Sequence, residues 1–288
     1  LNGRIIQNGS DNQSSIEQDG GEFIIGDFDS SGMTARNDQD GMGNRSSIDQ
    51  EAGLFGSGGA NPFTDANVFQ TGDDNESSVR QLGSNILANV DQNGTANESS
   101  VDQSGDDQLA NVTQAGTANV SDVVQNASFL AGSGGSVADV LQTGDRNDSS
   151  IMQDSTGFFS TGSGANVNQS GNDNDSSITQ TVSGDLSGIV TADVNQSGDD
   201  NGSTISQTAS GFVSGGLFAD VNQSGNGNDS DITQTASGDP SGGMLATVNQ
   251  SGDGNDSTVA QSADGDPSGL LGANVNQYGS DNNAFVTQ

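Results

Sequence analysis

The side chains of this chain that could do chemistry are its carboxylates and its amides. Of 39 acids, 34 are Asp and five are Glu. They gather in clusters such as Asp73, Asp74 and Glu76, Asp145 with Asp148, Asp173 with Asp175, Asp199 with Asp200, and Asp253 with Asp256. Grouped oxygen ligands could hold Ca²⁺. Paired acids in a cleft could cleave an acidic polysaccharide, but catalysis needs one constellation set apart from the rest. Here the Asp clusters recur along the chain and none is singled out, which argues against an enzyme. Histidine, cysteine and tryptophan are absent, so Cys/His metal sites, thiol nucleophiles and imidazole acid–base catalysis are excluded. No cofactor is implied. The five bases are scattered Arg residues, too few to neutralise a nucleic acid. No apolar run approaches the 18 or so residues of a membrane span.

The elements that position these residues emerge from a repeat. First Gln residues stand at Gln7, Gln39, Gln70, Gln92, Gln114, Gln142, Gln169, Gln196, Gln223, Gln250 and Gln277. The last six are 27 residues apart. A second Gln follows each at eleven residues: Gln18, Gln50, Gln81, Gln103, Gln125, Gln153, Gln180, Gln207, Gln234, Gln261 and Gln288. Those positions take 22 of the 24 Gln, and the residue two before each is Val or Ile except at Asn37. Gly lies two residues after every first Gln and Asn five after, at Asn12, Asn44, Asn75, Asn97, Asn119, Asn147, Asn174, Asn201, Asn228, Asn255 and Asn282. Ser lies seven after it in ten copies, with Ala284 in the last.

These residues fall at alternate positions, as in Ala165-Asn166-Val167-Asn168-Gln169 and in Asn174 through Gln180. A period of two means strand, and the Gly between supplies a tight turn. Each copy therefore reads as strand–turn–strand. One such hairpin buries too little to fold, whereas stacked copies share an interior. The expected fold is an all-β solenoid of about eleven stacked rungs, about 50 Å long at one rung per strand spacing. Stacking would place amides of successive rungs about 4.8 Å apart, hydrogen-bonded as ladders. In the 27-residue region the expected ladder residues are Gln142, Asn147 and Gln153; Gln169, Asn174 and Gln180; Gln196, Asn201 and Gln207; Gln223, Asn228 and Gln234; Gln250, Asn255 and Gln261; and Gln277, Asn282 and Gln288. Along the chain, 1–65 reads as rungs with long inserts, 66–130 as 22-residue repeats and 131–288 as 27-residue repeats.

The spacing Gln-x-Gly-x-x-Asn-x-Ser/Ala-x3-Gln, in tandem from about Ile5 to Gln288, resembles the curlin repeat of the subunits of curli fibres. That resemblance implies a secreted functional amyloid that self-assembles outside the cell into biofilm fibres used in matrix or adhesion. It also implies a nucleator subunit and an outer-membrane secretion pore as partners. Only Gln70, Gln92 and Gln114 keep the 22-residue period of that family.

Three features stay open on the sequence alone. Nine of eleven Phe lie in the longer returns: Phe23, Phe28, Phe55, Phe63, Phe129, Phe158, Phe159, Phe212 and Phe218. They either fold back over an edge of the core or form a lateral contact between fibres. The turn acids, about 5 Å apart and worth roughly 0.8 kcal/mol of repulsion per pair, either slow premature stacking or bind calcium. The rungs at both termini carry no cap, so the expectation is a homopolymer growing through terminal rungs as an open filament. Leu1 in place of Met suits a processed or trimmed chain, and no signal peptide is expected within it. Competing readings are a monomeric repeat protein whose ridge binds calcium or ice, and a disordered Asn/Gln-rich chain. Thr179 with Thr181 and Thr233 with Thr235 suit an ice-binding array, while Ser206 with Thr208 and Ala260 with Ser262 break it. A net charge of −34 with 19% Leu, Ile, Val and Phe favours disorder if periodicity is ignored.

Overall fold

Alternation along each segment becomes alternation between core and solvent. In the computed structural model, residues 1–19, 32–52, 63–127, 135–156, 162–264 and 269–288 are described, and among them there is no helix. Every copy contributes a first strand, such as Val190–Ser197, and a second, such as Gly202–Ala209. First strands pair in parallel with first strands, Val194 opposite Val221 and Gln196 opposite Gln223. Second strands do the same, Ile205 opposite Ile232 and Gln207 opposite Gln234. The result is a two-sheet β-solenoid of eleven strand–turn–strand rungs. Two strands of 20 residues, Glu76–Thr95 and Glu98–Thr117, run from the second strand of one rung into the first strand of the next. Positive φ at Gly83 and Asn85, and at Gly105 and Asp107, turns those corners.

The two sheets enclose narrow apolar rows, one of Ala and one of Val from the first strands and one of Ile or Val from the second. Ala192, Val194, Ala219 and Val221 come from first strands and Ile205 and Ile232 from second strands, all in a single continuous cluster. Burial of a Val or Ile side chain contributes about 1.5–3 kcal/mol. Each strand supplies few such residues, so rung must cover rung. Where the returns are longer, a second small cluster forms from Val182, Val190, Ala209, Leu217, Ala236, Met244 and Ala263. The returns themselves stack, with Gly188 N donating to Ser214 O at 2.8 Å and Gly215 N to Ser241 O at 3.0 Å. That edge is thus covered by aliphatic residues. Phe63, Phe212 and Phe218 instead stand exposed; the other six Phe of the inserts lie outside the described residues.

The tight turn explains two sequence features. At the Gly two residues after each first Gln, φ is positive, as at Gly198 (107°), and a Cβ there would lie 2.1 Å from the carbonyl oxygen of Gly225 in the next rung. Only glycine permits that approach. Two residues later φ is again positive: Asp11, Asp74, Asp173, Asp200 and Asp281 hold values of 55–60°, and Gly43, Gly227 and Gly254 take the same place in other rungs. Asp tolerates the left-handed region better than most residues. Part of the acidity therefore answers a backbone demand.

Ala118 occupies that left-handed place with φ of 55°. A non-glycine residue pays roughly 1–2 kcal/mol there, against about 0.5–1 kcal/mol of extra chain entropy for Gly. Ala118→Gly should accordingly raise the denaturant midpoint, by up to about 1 kcal/mol of stability. A lowered midpoint would show that the Ala118 methyl makes contacts worth more than the strain.

Candidate functional site

Glutamine in a dry interior is costly unless every amide group is paired. Each Gln of the first strands donates Nε2–H to the Oε1 of the same Gln one rung on, an unbroken run from Gln7 to Gln277 at 2.7–2.9 Å. The second strands carry a parallel run from Gln18 to Gln288, also at 2.7–2.9 Å. The other Nε2 proton crosses to the opposite sheet. Gln196 donates to Asp175 O at 2.9 Å in the preceding rung, and Gln207 to Thr191 O at 2.9 Å in its own. Sequence reasoning did not reach these cross-sheet bonds, because nothing in the spacing marks a main-chain carbonyl as an acceptor.

The Asn of the turn ties three rungs. Asn201 Nδ2 donates to Asn174 Oδ1 behind it at 2.9 Å and to Gly225 O ahead of it at 2.9 Å, while its own Oδ1 accepts from the main-chain and side-chain N–H of Asn228 at 3.1 and 3.0 Å. The same pattern places Asn147, Asn174, Asn228 and Asn255 between their neighbours, and Asn282 donates to Asn255 at 2.7 Å. Donors therefore point toward the C-terminal rung along the Gln columns and toward the N-terminal rung along the Asn Nδ2–Oδ1 column.

Two inward positions are less well paired. Asn37, in the Val/Ile row, donates to Ser14 and Ser46, yet its Oδ1 is buried without a partner. The hydroxyls of Ser77, Ser99, Ser121, Ser149, Ser176 and Ser203 are buried and have no hydrogen-bond partner among the described residues.

The acids are spread more evenly than the clusters suggested. Three residues past the first Gln, Asp145, Asn172, Asp199, Asn226 and Asp253 alternate acid with amide, and each side-chain oxygen accepts the backbone N–H of the rung before, as Asn172 N donates to Asp199 Oδ1 at 2.9 Å. Alternation doubles the spacing of charges to about 10 Å, beyond the screening length at physiological salt. One place further on, Arg146 makes a two-pronged bond to Asp173 at 2.6 Å and holds its carboxyl below the usual range. Direct stacking of acids remains, as at Glu76 over Glu98, Asp148 over Asp175, Asp193 over Asp220 and Asp229 over Asp256. Burial first, and then the neighbouring carboxylate, raises Asp148 and Asp229, and Asp220 beside Asp193 likewise. Among the described residues no group of three acids is arranged to hold a metal ion.

Gln196→Ala would orphan the Nε2 proton of Gln169 and the Oε1 of Gln223, both buried. At about 1–3 kcal/mol per orphaned group the loss should be on the order of 4 kcal/mol in a denaturant titration, against less than about 0.5 kcal/mol for Ser206→Ala on the outer face. Because Asp148, Asp220 and Asp229 are raised in the fold, their contribution is fullest below the unfolded value of 3.8 and is lost as pH rises through the folded values. Melting followed from neutral pH down to about pH 4 should move upward, and a fall over that window would contradict the assignment.

No curated protein matches the chain. Residues 83–116, which hold the two tight corners, the first-strand stretch that follows each and the second-strand stretch between them, match the family model described as the curlin associated repeat. The Gln and Asn columns pass through that segment and continue above and below it, and this continuity supports a curlin-repeat assignment for the segments that share them.

Proposed function

We propose that this chain is a structural subunit of an extracellular, curli-like amyloid fibre that polymerises by laying the rungs of one copy on those of the next. One observation carries the reading. Successive first-strand Gln residues are separated by 32, 31, 22, 22, 28 and then 27 residues, yet the bond between them is the same at every junction. Register is set by the faces of the rungs and is indifferent to the connector. A junction with that property forms equally well between chains, since each face of a rung offers amide donors and acceptors that the opposite face of another rung matches. The contact is heterologous and does not close, which is the geometry of a filament. The fibre then serves matrix cohesion or adhesion, with a nucleator subunit and a secretion pore as the partners that the family resemblance implies.

Incubation of purified chain should convert a coil signal in circular dichroism to β signal and yield unbranched fibres with an axial reflection of about 4.7–4.8 Å. A β-rich monomer that remains monodisperse at high concentration would overturn the reading.

A further inference from the structure

Most outward positions of this solenoid vary within a few rungs, as where Asn67, Asn89 and Asn111 give way to Asp139, but one pair of neighbouring columns holds over four rungs. In the seventh to tenth rungs the first strands read Val-Asn-Gln-Ser at 167–170, 194–197, 221–224 and 248–251. Two outward residues upstream change freely in register, through Gly164, Thr191, Phe218 and Leu245 and through Asn166, Asp193, Asp220 and Thr247. The outward Asn and Ser do not change at all. The Asn side chains form a raised column on the sheet, joined by bonds of 3.1, 3.2 and 3.0 Å from Asn195 to Asn222, Asn249 and Asn276. Beside it the Ser hydroxyls lie down along the axis toward main-chain carbonyls of the next rung, at 3.3–3.5 Å. Between the columns runs a groove of about 320 Å³, which Tyr278 borders in the eleventh rung.

The geometry points to this strip as the lateral contact between two copies of the chain lying side by side in neighbouring fibres. This inference rests on the fibre reading above. A ridge of Asn next to a trough of Ser is complementary to itself: a two-fold axis between the columns seats each copy's amides over the other's hydroxyls, as isologous contacts require. The resulting face is the dry, interdigitated kind that uncharged short side chains allow. Charge selects the same place. On a chain of net charge −34, two copies approach most readily where carboxylates are fewest: neither column contains one in these four rungs, and the acids beside them, Asp193 and Asp220, stand in the next outward column, where Asn222 donates to Asp220 Oδ1 at 3.0 Å. In the third and fourth rungs the corresponding places hold Phe69 with Thr71 and Asp91 with Asn93, so neither the ridge nor the trough continues there. Four rungs at about 4.8 Å and two columns about 7 Å apart cover on the order of 200 Å² per copy, well short of the roughly 800 Å² per partner of a stable specific complex. Single chains therefore stay apart, and fibres, which array the strip many times, adhere through summed weak contacts.

The test compares two triple variants that add equal charge to opposite faces: Ser197→Glu, Ser224→Glu and Ser251→Glu in the trough, and Thr181→Glu, Thr208→Glu and Thr235→Glu on the outer face of the other sheet. Fibres of wild type and both variants are imaged by electron microscopy across a salt series. The expected result is single-fibre growth in all three, with pairing at moderate salt in wild type and the Thr variant and loss of most paired fibres in the Ser variant. Equal unbundling in both variants, or unbundling by the Thr variant alone, overturns the inference. Should the Ser variant fail to assemble, Ser224→Tyr, which places in the trough the residue that the eleventh rung carries as Tyr278, fills it without charge; pairing at wild-type frequency and spacing would again overturn the proposal. Absence of fibres in wild type would instead count against the fibre reading itself.

Discussion

A glutamine amide taken out of water must find four partners, and in this molecule it finds two of its closest ones in the rungs above and below. That constraint governs the rest. An isolated strand–turn–strand unit would keep only the bonds of Gln207 to Thr191 O and of Gln196 to Asn201 O and leave the remaining amide groups unpaired, at a cost of a few kcal/mol per amide, and its Val and Ile would recover little of this. Stacking at the strand spacing removes the penalty from every interior rung at once. Stability is thus a property of neighbours, and the disorder that composition alone suggests describes a chain that has not yet stacked.

The turn obeys the same constraint from the backbone side. Glycine is needed because the main chain of one rung nearly touches the next, with Gly225 O 2.1 Å from where a Cβ of Gly198 would sit. That closeness brings the carbonyl within 2.9 Å of Asn201 Nδ2. Gly and Asn therefore act as one device, the first admitting the neighbour and the second binding it. The left-handed residue between them accounts for a share of the Asp, and alternation of Asp with Asn spaces the acids three residues past the first Gln, while pairs such as Asp148 over Asp175 stay stacked. High charge and tight stacking coexist because the charges are placed where one rung's carboxylate accepts another rung's N–H.

Lengthened returns change the periphery and leave this device untouched. Between the 22- and 27-residue spacings the Gln bond is unaltered, while strand-end residues around Leu217 and Met244 build a second apolar cluster and the added residues stack on one another. Phe212 and Phe218 were candidates for covering that edge, yet they are exposed. Smaller aliphatic residues from the strands themselves already fill the space, so the rings are left outside it.

Much of the fold was legible in the sequence. A period of two gave strands, recurrence gave stacking, and the need to pair buried amides such as those of Gln180 and Gln207 gave ladders, because each inference depends only on which residue type returns at which interval. The partners that lie across the interior were not legible. That Gln196 reaches Asp175 O, that Asn201 spans three rungs, and that Arg146 rather than repulsion governs Asp173 depend on where main-chain carbonyls and neighbouring turns sit once two sheets face each other. The sequence by itself determined the repeat, the inward rows and the glycines of the turn, since these are fixed by local periodicity and steric limits. Only the tertiary structure decided how the two sheets are stapled, which acids are neighbours and which outward columns form a ridge and a groove, since those are distances between segments that no interval along the chain encodes.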